Sequence, residues 1–468
     1  MSRVDVALSR KRIRGSENSI SCAITIAGSD SCGGAGIEAD LKTFAALGVY
    51  GTCAITAVTA QNTQGVRQIF PVPAEIVRRQ IDVVMEDIPI QAAKTGMLYS
   101  EGVMEVVAES IVTYGLKVVV DPVLRAATGD PLILESDIEA LIRLIVPRAY
   151  VLTPNVPEAE AISNVRIRSI EEMKEAAQKI AELGAGSVVV KGGHLKPMEN
   201  EVHDILYHDG IFKVFGKPRI GVEPHGGGCT FSAAITAHLA AGADLTEAVE
   251  RAEEFMGTSV EYSTPVGGGR APVNPMADLY NKSEMFQVLD DVERAAEMIE
   301  SHSEFLPFIA EVGTQVAMAL PCPLNEKDVA AIEGRIVKFR NKAKAVGSPH
   351  YGASQHIASI ILAAMKYDHK IRGAINLHYE SRLVEAFRKT GFAVSSFDRK
   401  LEPTDKKHAE GKSLSWGTGE AIRSFGKVPD VIFDEGEVGK EPMIRVLGRT
   451  ATEAVKKALE SIESLSRL

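Results

Sequence analysis

From Ser21 onward the chain alternates short, unbroken apolar runs with segments whose apolar residues return at helical spacing. "CAITIAG" is followed by "GIEADLKTFAALG" and "GTCAITAVTAQN" by "PAEIVRRQIDVVMED", and the rhythm continues through "AAKTGM", "KVVVDP", "AYVLTPN" and "SVVVKGG". Continuous apolar strands separated by helices predict a parallel sheet covered on both faces, because a half-exposed sheet would alternate polar and apolar positions. Each run ends in turn residues that mark the strand's carboxyl end, the edge at which open α/β sheets bind ligands. "DILYHDGIFKVF" predicts a hairpin turning at Asp209-Gly210, and helices are predicted from about Thr230 to about Tyr262.

Between Thr264 and Ser283, "TPVGGGRAPVNPMADLYNKS" is rich in glycine and proline and has no sustained period, which predicts a domain boundary. Beyond it lie an amphipathic helix, "VLDDVERAAEMIESHSEFL", and strand-like "RIVKF", "GAINLHY", "AVSSFD" and "DVIFDEG". The 468 residues also exceed what one compact core usually holds. The expected division is a flexible N-terminal tail over 1–20, a first domain over 21–265, a linker over 266–292 and a second, smaller α/β domain over 293–468.

The formal charge of -10 speaks against a duplex nucleic-acid surface, which needs a concentrated basic face. No apolar run is long enough to span a bilayer, so no membrane association is expected, and the basic cluster Arg10–Arg14 reads as a solvated tail. Five cysteines, Cys22, Cys32, Cys53, Cys229 and Cys322, include no Cys-x-x-Cys pair, which suggests a reducing, cytoplasmic setting.

The densest candidate chemistry is "HGGGCT" at His225–Thr230, opening a predicted helix. Glycines there let successive N–H groups point into one concavity, and the helix adds its positive amino end, so an anion site results. The same field could hold Cys229 partly as thiolate and make it a proton acceptor; the competing reading is a flexible loop with a buried cysteine. No P-loop or dinucleotide fingerprint occurs. In "LTPNVPEAE", Asn155 and Glu158 could order a magnesium–phosphate water shell, or could be the N-cap and third residue of the next helix. Lys191 in "VVVKGGH" stands at another strand end, available to phosphate or merely solvated.

Six ordered stretches, "TIAGSDSCGGAGIEADLKTFAALGVYGTCAITAVTAQNTQGV", "AAKTGML", "VVVDPV", "LTPNVPEAE", "VVVKGGH" and "HGGGCTFSAA", resemble the hydroxymethylpyrimidine and hydroxymethylpyrimidine-phosphate kinases of thiamine biosynthesis, members of the ribokinase-like group. The resemblance covers residues of about 21–265. It implies a doubly wound, mostly parallel sheet with helices on both faces, ATP as substrate, Mg2+ as cofactor and a homo-oligomer such as a dimer. It places Gly226, Gly227, Gly228 and Cys229 as anion hole and base, and Lys191 near the nucleotide phosphates. Gln61 would bond the aminopyrimidine, with Gly28, Asp40, Met97 and Val123 in its pocket, and Asn155, Glu158 and Asp121 would attend nucleotide and metal without a direct metal ligand being assigned. Two departures stand out: Gly227 replaces the usual threonine, and Ser31-Cys32 replaces Pro-Ser.

The second half, over about 293–455, resembles the thiamine-phosphate synthase domain fused behind this kinase in archaea. On the residues alone, the favoured reading of Arg335 is a surface ion-pair partner and that of His356 a core histidine. The resemblance makes both critical for binding pyrophosphate and hydroxyethylthiazole phosphate, and adds Asn376 and Asp398 as pocket residues. A pyridoxal-type vitamin kinase with a C-terminal domain that only senses thiamine phosphate is the alternative.

Overall fold

The computed structural model describes residues 20–126, 128–133, 135–193, 195, 201–221, 224–403, 412–437 and 439–466. The tail expected over 1–20, with its basic cluster, lies outside the described residues up to residue 19. The chain divides into two compact units, Met1–Asp278 and Leu279–Leu468.

Among the described residues the first unit holds a nine-stranded sheet in the order β3-β2-β1-β4-β5-β6-β7-β8-β9. The strands are β1 (Cys22–Asp30), β2 (Tyr50–Asn62), β3 (Gly65–Pro71), β4 (Ala92–Thr95), β5 (Val118–Val120), β6 (Val151–Leu152), β7 (Val188–Val190), β8 (Glu201–His208) and β9 (Ile211–Pro218). The six from β2 to β7 in space are parallel, and antiparallel strands close each edge. The unbroken apolar runs have the predicted cause. Val118 and Val120 face one core with Val77, Ile81, Met104, Val107, Met173 and Ile180, while Val119 faces a second with Phe44, Phe231, Ile235 and Val249.

Those side chains come from helices α1 (Gly36–Ala46), α2 (Ala74–Asp87), α3 (Glu101–Tyr114), α4 (Val156–Ser163), α5 (Ile170–Glu182), α6 (Gly227–Ala240) and α7 (Leu245–Glu261). The hairpin turns at Asp209 and Gly210, whose φ of 49° and 78° are the left-handed pair that a two-residue turn requires. Strand β3 had no legible signal, because its edge position leaves residues such as Phe70 exposed instead of alternating.

The second unit carries a seven-stranded sheet, again among the described residues, in the order β14-β11-β10-β15-β18-β17-β16, with a separate β12-β13 ribbon. Its strands are β10 (Val316–Ala319), β11 (Val329–Ile332), β12 (Ile336–Phe339), β13 (Lys342–Ala345), β14 (Pro349–Tyr351), β15 (Gly373–His378), β16 (Val394–Ser396), β17 (Val431–Asp434) and β18 (Met443–Gly448). All its neighbours are antiparallel except β16 and β17. Helices α8 (Ala277–Ser301), α10 (Ser381–Lys389) and α12 (Ala451–Ser466) cover one face, and α9 (Gln355–Met365) and α11 (Lys412–Phe425) the other.

Residues 266–292 do not form the expected linker. The glycines at 267–269 serve close packing: a Cβ on Gly269 would lie 1.9 Å from the Thr63 carbonyl oxygen. Arg270 N–H donates to that same oxygen and His225 bridges to Pro272, which ties the segment to the first unit, and α8 begins already at Ala277.

Candidate active sites

In the first unit the predicted residues gather at the carboxyl ends of the parallel strands. Asp30 ends β1, Gln61 lies near the end of β2, Met97 follows β4, Asp121 and Val123 follow β5, Asn155 follows β6 and Lys191 follows β7. The amino end of α6 meets them. Its N-cap, Gly226, has φ 81°, and a Cβ there would sit 1.7 Å from the Gly34 carbonyl oxygen, so no other residue fits. A Cβ on Gly228 would come 3.2 Å from Lys191 Nζ and 3.3 Å from Asp121 Oδ2. Glycine thus lets the helix amino end approach the Lys191–Asp121 pair, itself joined at 3.0 Å. Burial pulls the Lys191 ammonium toward neutrality, but Asp121 and Glu158 outweigh it and hold its pKa above the ordinary lysine value.

Cys229 corrects one expectation. Burial pushes its thiol up to about 11, against the lowering by the Lys94 charge and the Gly36 N–H, so the resting side chain is a thiol and not a partial thiolate. Asp40 corrects another. It has no accessible surface, and both of its oxygens are taken by Lys94 with Thr25 also donating, so it does not line the pocket. Asn155 and Glu158 do form a capping box: Glu158 N–H donates to Asn155 Oδ1 at 2.9 Å and Asn155 N–H to Glu158 Oε2 at 2.8 Å. The box leaves Glu158 buried beside Lys191 and Asp121, and burial raises its carboxyl to about 7.

Of the residues expected in a pyrimidine pocket, Gly28, Met97 and Val123 lie together. Met97 packs with Ala57, Leu132 and Val123, and a Cβ on Gly28 would touch Met97 Sδ at 3.1 Å. Gln61 is anchored through its backbone: Ser31 Oγ accepts its N–H at 2.8 Å and donates to its carbonyl at 2.7 Å, a clasp that proline in place of Ser31 could not make. The Gln61 amide lies 3.3 Å from His225 Nε2, and that nitrogen is 2.8 Å from Asp30 Oδ2. Asp30 also accepts from the Gly34 and Ala35 N–H groups, and despite burial the His225 contact brings its carboxyl down to about 2. The sequence reading missed His225 and Asp30, although both stand inside the motifs quoted for the resemblance.

In the second unit, Arg335 and His356 meet at one open pocket of about 310 Å³, shared with Gln315, Gly334, Ala353, Ser354 and Gln355. His356 is not a core histidine; it is exposed in the first turn of α9. Arg335 has φ 71°, a conformation costly for a side chain of this size, and its guanidinium donates to the Val312 carbonyl. A helix amino end, a guanidinium and an imidazole facing one space suit an anionic phosphate. Asn376 stands beside the pocket with its amide already used: Oδ1 accepts from Gln315 N–H at 2.7 Å and Nδ2 donates to the Gly313 carbonyl at 3.2 Å. Asp398 is not brought to this pocket. It is exposed and caps a single turn, accepting from Lys400 N–H, while its neighbour Arg399 pairs with buried Asp434, which also pairs with Arg445.

A family model for phosphomethylpyrimidine kinase matches residues 30–274, and one for thiamine-phosphate synthase ThiN matches 291–460. The bifunctional thiamine biosynthesis protein ThiDN of Methanocaldococcus jannaschii is 38% identical over 93% of this chain and 96% of its own length. The hydroxymethylpyrimidine/phosphomethylpyrimidine kinase of Bacillus subtilis is 46% identical over 55% of this chain and 96% of its own. Among solved structures, an ADP complex of Bacillus subtilis pyridoxal kinase superposes with a TM-score of 0.52 at 38% identity, covering 56% of this chain and 99% of that one. Among the described residues no helix is long and apolar enough to cross a membrane. The chain belongs to the bifunctional thiamine biosynthesis family, in which a ribokinase-like phosphomethylpyrimidine kinase is followed by a thiamine-phosphate synthase domain.

Proposed function

We propose that the first unit transfers the γ-phosphoryl of ATP first to the hydroxymethyl oxygen of 4-amino-5-hydroxymethyl-2-methylpyrimidine and then to the resulting monophosphate. The observation that supports this most is the convergence of the Gly226–Gly228 loop, the Lys191–Asp121 pair and the Met97–Val123 pocket on one sheet edge. In each step a new O–P bond forms as the bond from Pγ to the ADP oxygen breaks. Phosphoryl transfer asks mainly for positioning and charge neutralisation, which the α6 amino end and Lys191 supply. Gln61, fixed by Ser31, would read the aminopyrimidine edge. Asp121, Glu158 and Asn155 are hard oxygen donors suited to a magnesium ion held through water, which would offset phosphate charge when bound.

Cys229 would take the proton of the hydroxymethyl group in the first step, after its resting thiol has lost its own proton to solvent. The second acceptor is already an ionised phosphate and needs no base. Cys229→Ser therefore should slow the first phosphorylation far more than the second, measured by following each product separately; equal losses would remove the assignment. The second unit would then bind the departing pyrophosphate and hydroxyethylthiazole phosphate at Arg335 and His356 while the thiazole nitrogen bonds to the pyrimidine methylene carbon. Supplying pyrimidine, ATP, Mg2+ and thiazole phosphate to the whole chain tests this. Accumulation of pyrimidine pyrophosphate without thiamine phosphate would leave only the kinase. The likeness to pyridoxal kinase structures favours pyridoxal as a second substrate of the same site, which a substrate panel decides.

A further inference from the structure

Three side chains of different donor type meet where the loop after β1 faces the loop before α6. Asp30 ends β1, Cys32 follows two residues later, and His225 stands just ahead of the α6 N-cap. The Asp30 carboxylate, the Cys32 sulfur and the His225 ring offer ligand atoms that all lie within 4.8 Å of one another. Asp30 Oδ2 is the hub. His225 Nε2 lies 2.8 Å and Cys32 Sγ 3.4 Å from it, and the Gly34 and Ala35 N–H groups donate to it at 3.1 and 2.8 Å. A carboxylate oxygen has about two lone pairs, so four donors crowd it. The two backbone groups suffice to fill them, which leaves the imidazole and thiol protons competing for an acceptor already served.

One divalent cation can replace both protons. A carboxylate, a thiolate and an imidazole together suit a borderline-soft ion such as Zn2+, whereas Mg2+ takes oxygen ligands and keeps its waters. Zinc bonds of about 2.0 Å to nitrogen or oxygen and about 2.3 Å to sulfur put tetrahedral donor pairs about 3.3–3.5 Å apart. The sulfur already stands at that separation from Asp30 Oδ2, and His225 Nε2 need draw back only by about half an ångström. The ligands are also held from outside: Cys32 N–H donates to Asp30 Oδ1 at 3.0 Å, and the His225 backbone bonds to Ala271 and Val273. A Cβ on Gly34 would stand 2.3 Å from His225 Cδ2, so bare backbone packs against the imidazole ring. Asp30 and His225 are buried and Cys32 is half-buried, which gives an ion its way in past the sulfur. The fourth position falls to water or to the Gln61 amide, which lies 3.3 Å from His225 Nε2.

We propose that Asp30, Cys32 and His225 form a binding site for a borderline-soft divalent cation of the zinc type, distinct from the magnesium position at Asp121, Glu158 and Asn155. On binding, the Cys32 thiol gives its proton to solvent and the imidazole keeps its remaining proton on Nδ1, so that Nε2 ligates. Carboxylate and thiolate then balance the two charges of the ion, and no electron is transferred. The ion fastens the loop after β1 to the loop before α6, and the clasp closes beside Gln61 and Gly226. The site stands apart from the kinase assignment, since its occupation is read with no substrate present.

The test uses the whole chain, stripped with a chelator and titrated with Zn2+ or Co2+ in an excess of Mg2+. The expected result is a single equivalent of Zn2+ bound by calorimetry and a thermal midpoint that rises with added Zn2+, because an ion that binds only the folded state stabilises it. Co2+ in the same position should give a near-ultraviolet thiolate-to-cobalt band and the intense visible bands of a four-coordinate ion. Cys32→Ser, a small change at a half-buried position, should keep the metal-free thermal midpoint and lose the thiolate band. His225→Gln keeps the thiol and should weaken Zn2+ binding by about tenfold or more. Should that variant fail to fold, Cys32→Ser decides alone, since loss of the band from a folded chain identifies the sulfur. No binding by the parent in excess Mg2+ overturns the site. So does a thiolate band undiminished in Cys32→Ser, which places the ion on another cysteine.

Discussion

Gly226 lies against Gly34 so closely that a Cβ on it would stand 1.7 Å from the Gly34 carbonyl oxygen. The loop after β1 and the loop before α6 are therefore packed backbone to backbone, and the N–H groups at the head of α6 owe their direction to that contact. Gly226→Ala should cost both kinase steps about 10²-fold or more, the scale seen when donors to a developing negative charge are misplaced. Thiamine-phosphate formation from supplied pyrimidine pyrophosphate should be unaffected. Stopped assays of the three reactions check this.

Gly227 gives the opposite expectation. A Cβ there meets nothing nearer than Pro224 Cγ at 3.8 Å, and its φ is not in the left-handed region. Restoring the family's threonine by Gly227→Thr should fold without strain and leave the first-step kcat within about threefold of the parent, since a hydroxyl on an open surface contributes little unless it finds a partner. A large loss would show that position 227 must stay free of a side chain when the substrates are bound.

Glu158 predicts a pH signature. Its carboxyl is raised to about 7 by burial, so near neutrality a sizeable fraction carries a proton. Relative to an ordinary glutamate the folded state holds extra proton between the unfolded value of about 4.5 and about 7, so this group's contribution to stability is present at low pH and is lost as pH rises through that window. A magnesium–nucleotide complex nearby favours the charged carboxylate. Binding at pH 7 should therefore release a fraction of a proton, and Glu158→Gln should abolish the release. Calorimetry in buffers of different ionisation enthalpy measures it.

Arg335 and His356 face one pocket in a unit with its own two cores. Arg335→Lys keeps the charge but loses the planar fork, so thiamine-phosphate formation should fall by about 10- to 100-fold, consistent with one or two lost charge-assisted bonds. Both phosphorylation rates should stay at parent values. His356→Gln should raise the KM for the phosphate-bearing substrates more than Asp398→Ala does, because Asp398 lies outside the pocket's lining.

What the sequence disclosed follows from how locally each feature is encoded. The parallel sheet was legible because burial on both faces writes unbroken apolar runs, and the strand ends named the edge where Asn155 and Lys191 stand. The role of Asp40 was not legible: its partner Lys94 is 54 residues away, and only the oddity of a lysine within an apolar strand hinted at a buried charge. The short strands "VAMA" and "VAAI" were missed for another reason, since four small residues carry too little period to distinguish strand from helix. The capping box explains why Asn155 and Glu158 supported two readings at once. The same two side chains start α4 and leave the carboxylate beside Lys191.

Ser31 and Asp30 are adjacent, yet they look to different places: the first clasps Gln61, the second holds His225 at the threshold of Gly226. If Gln61 reads the pyrimidine as proposed, a single dipeptide sets the common datum from which the substrate would be gauged and from which the Gly226 loop is hung. Drift in either would misalign recognition and transfer together. A pyrimidine that seats badly on Gln61 would tug the phosphate cradle out of true, and discrimination would then be felt in turnover as well as in binding.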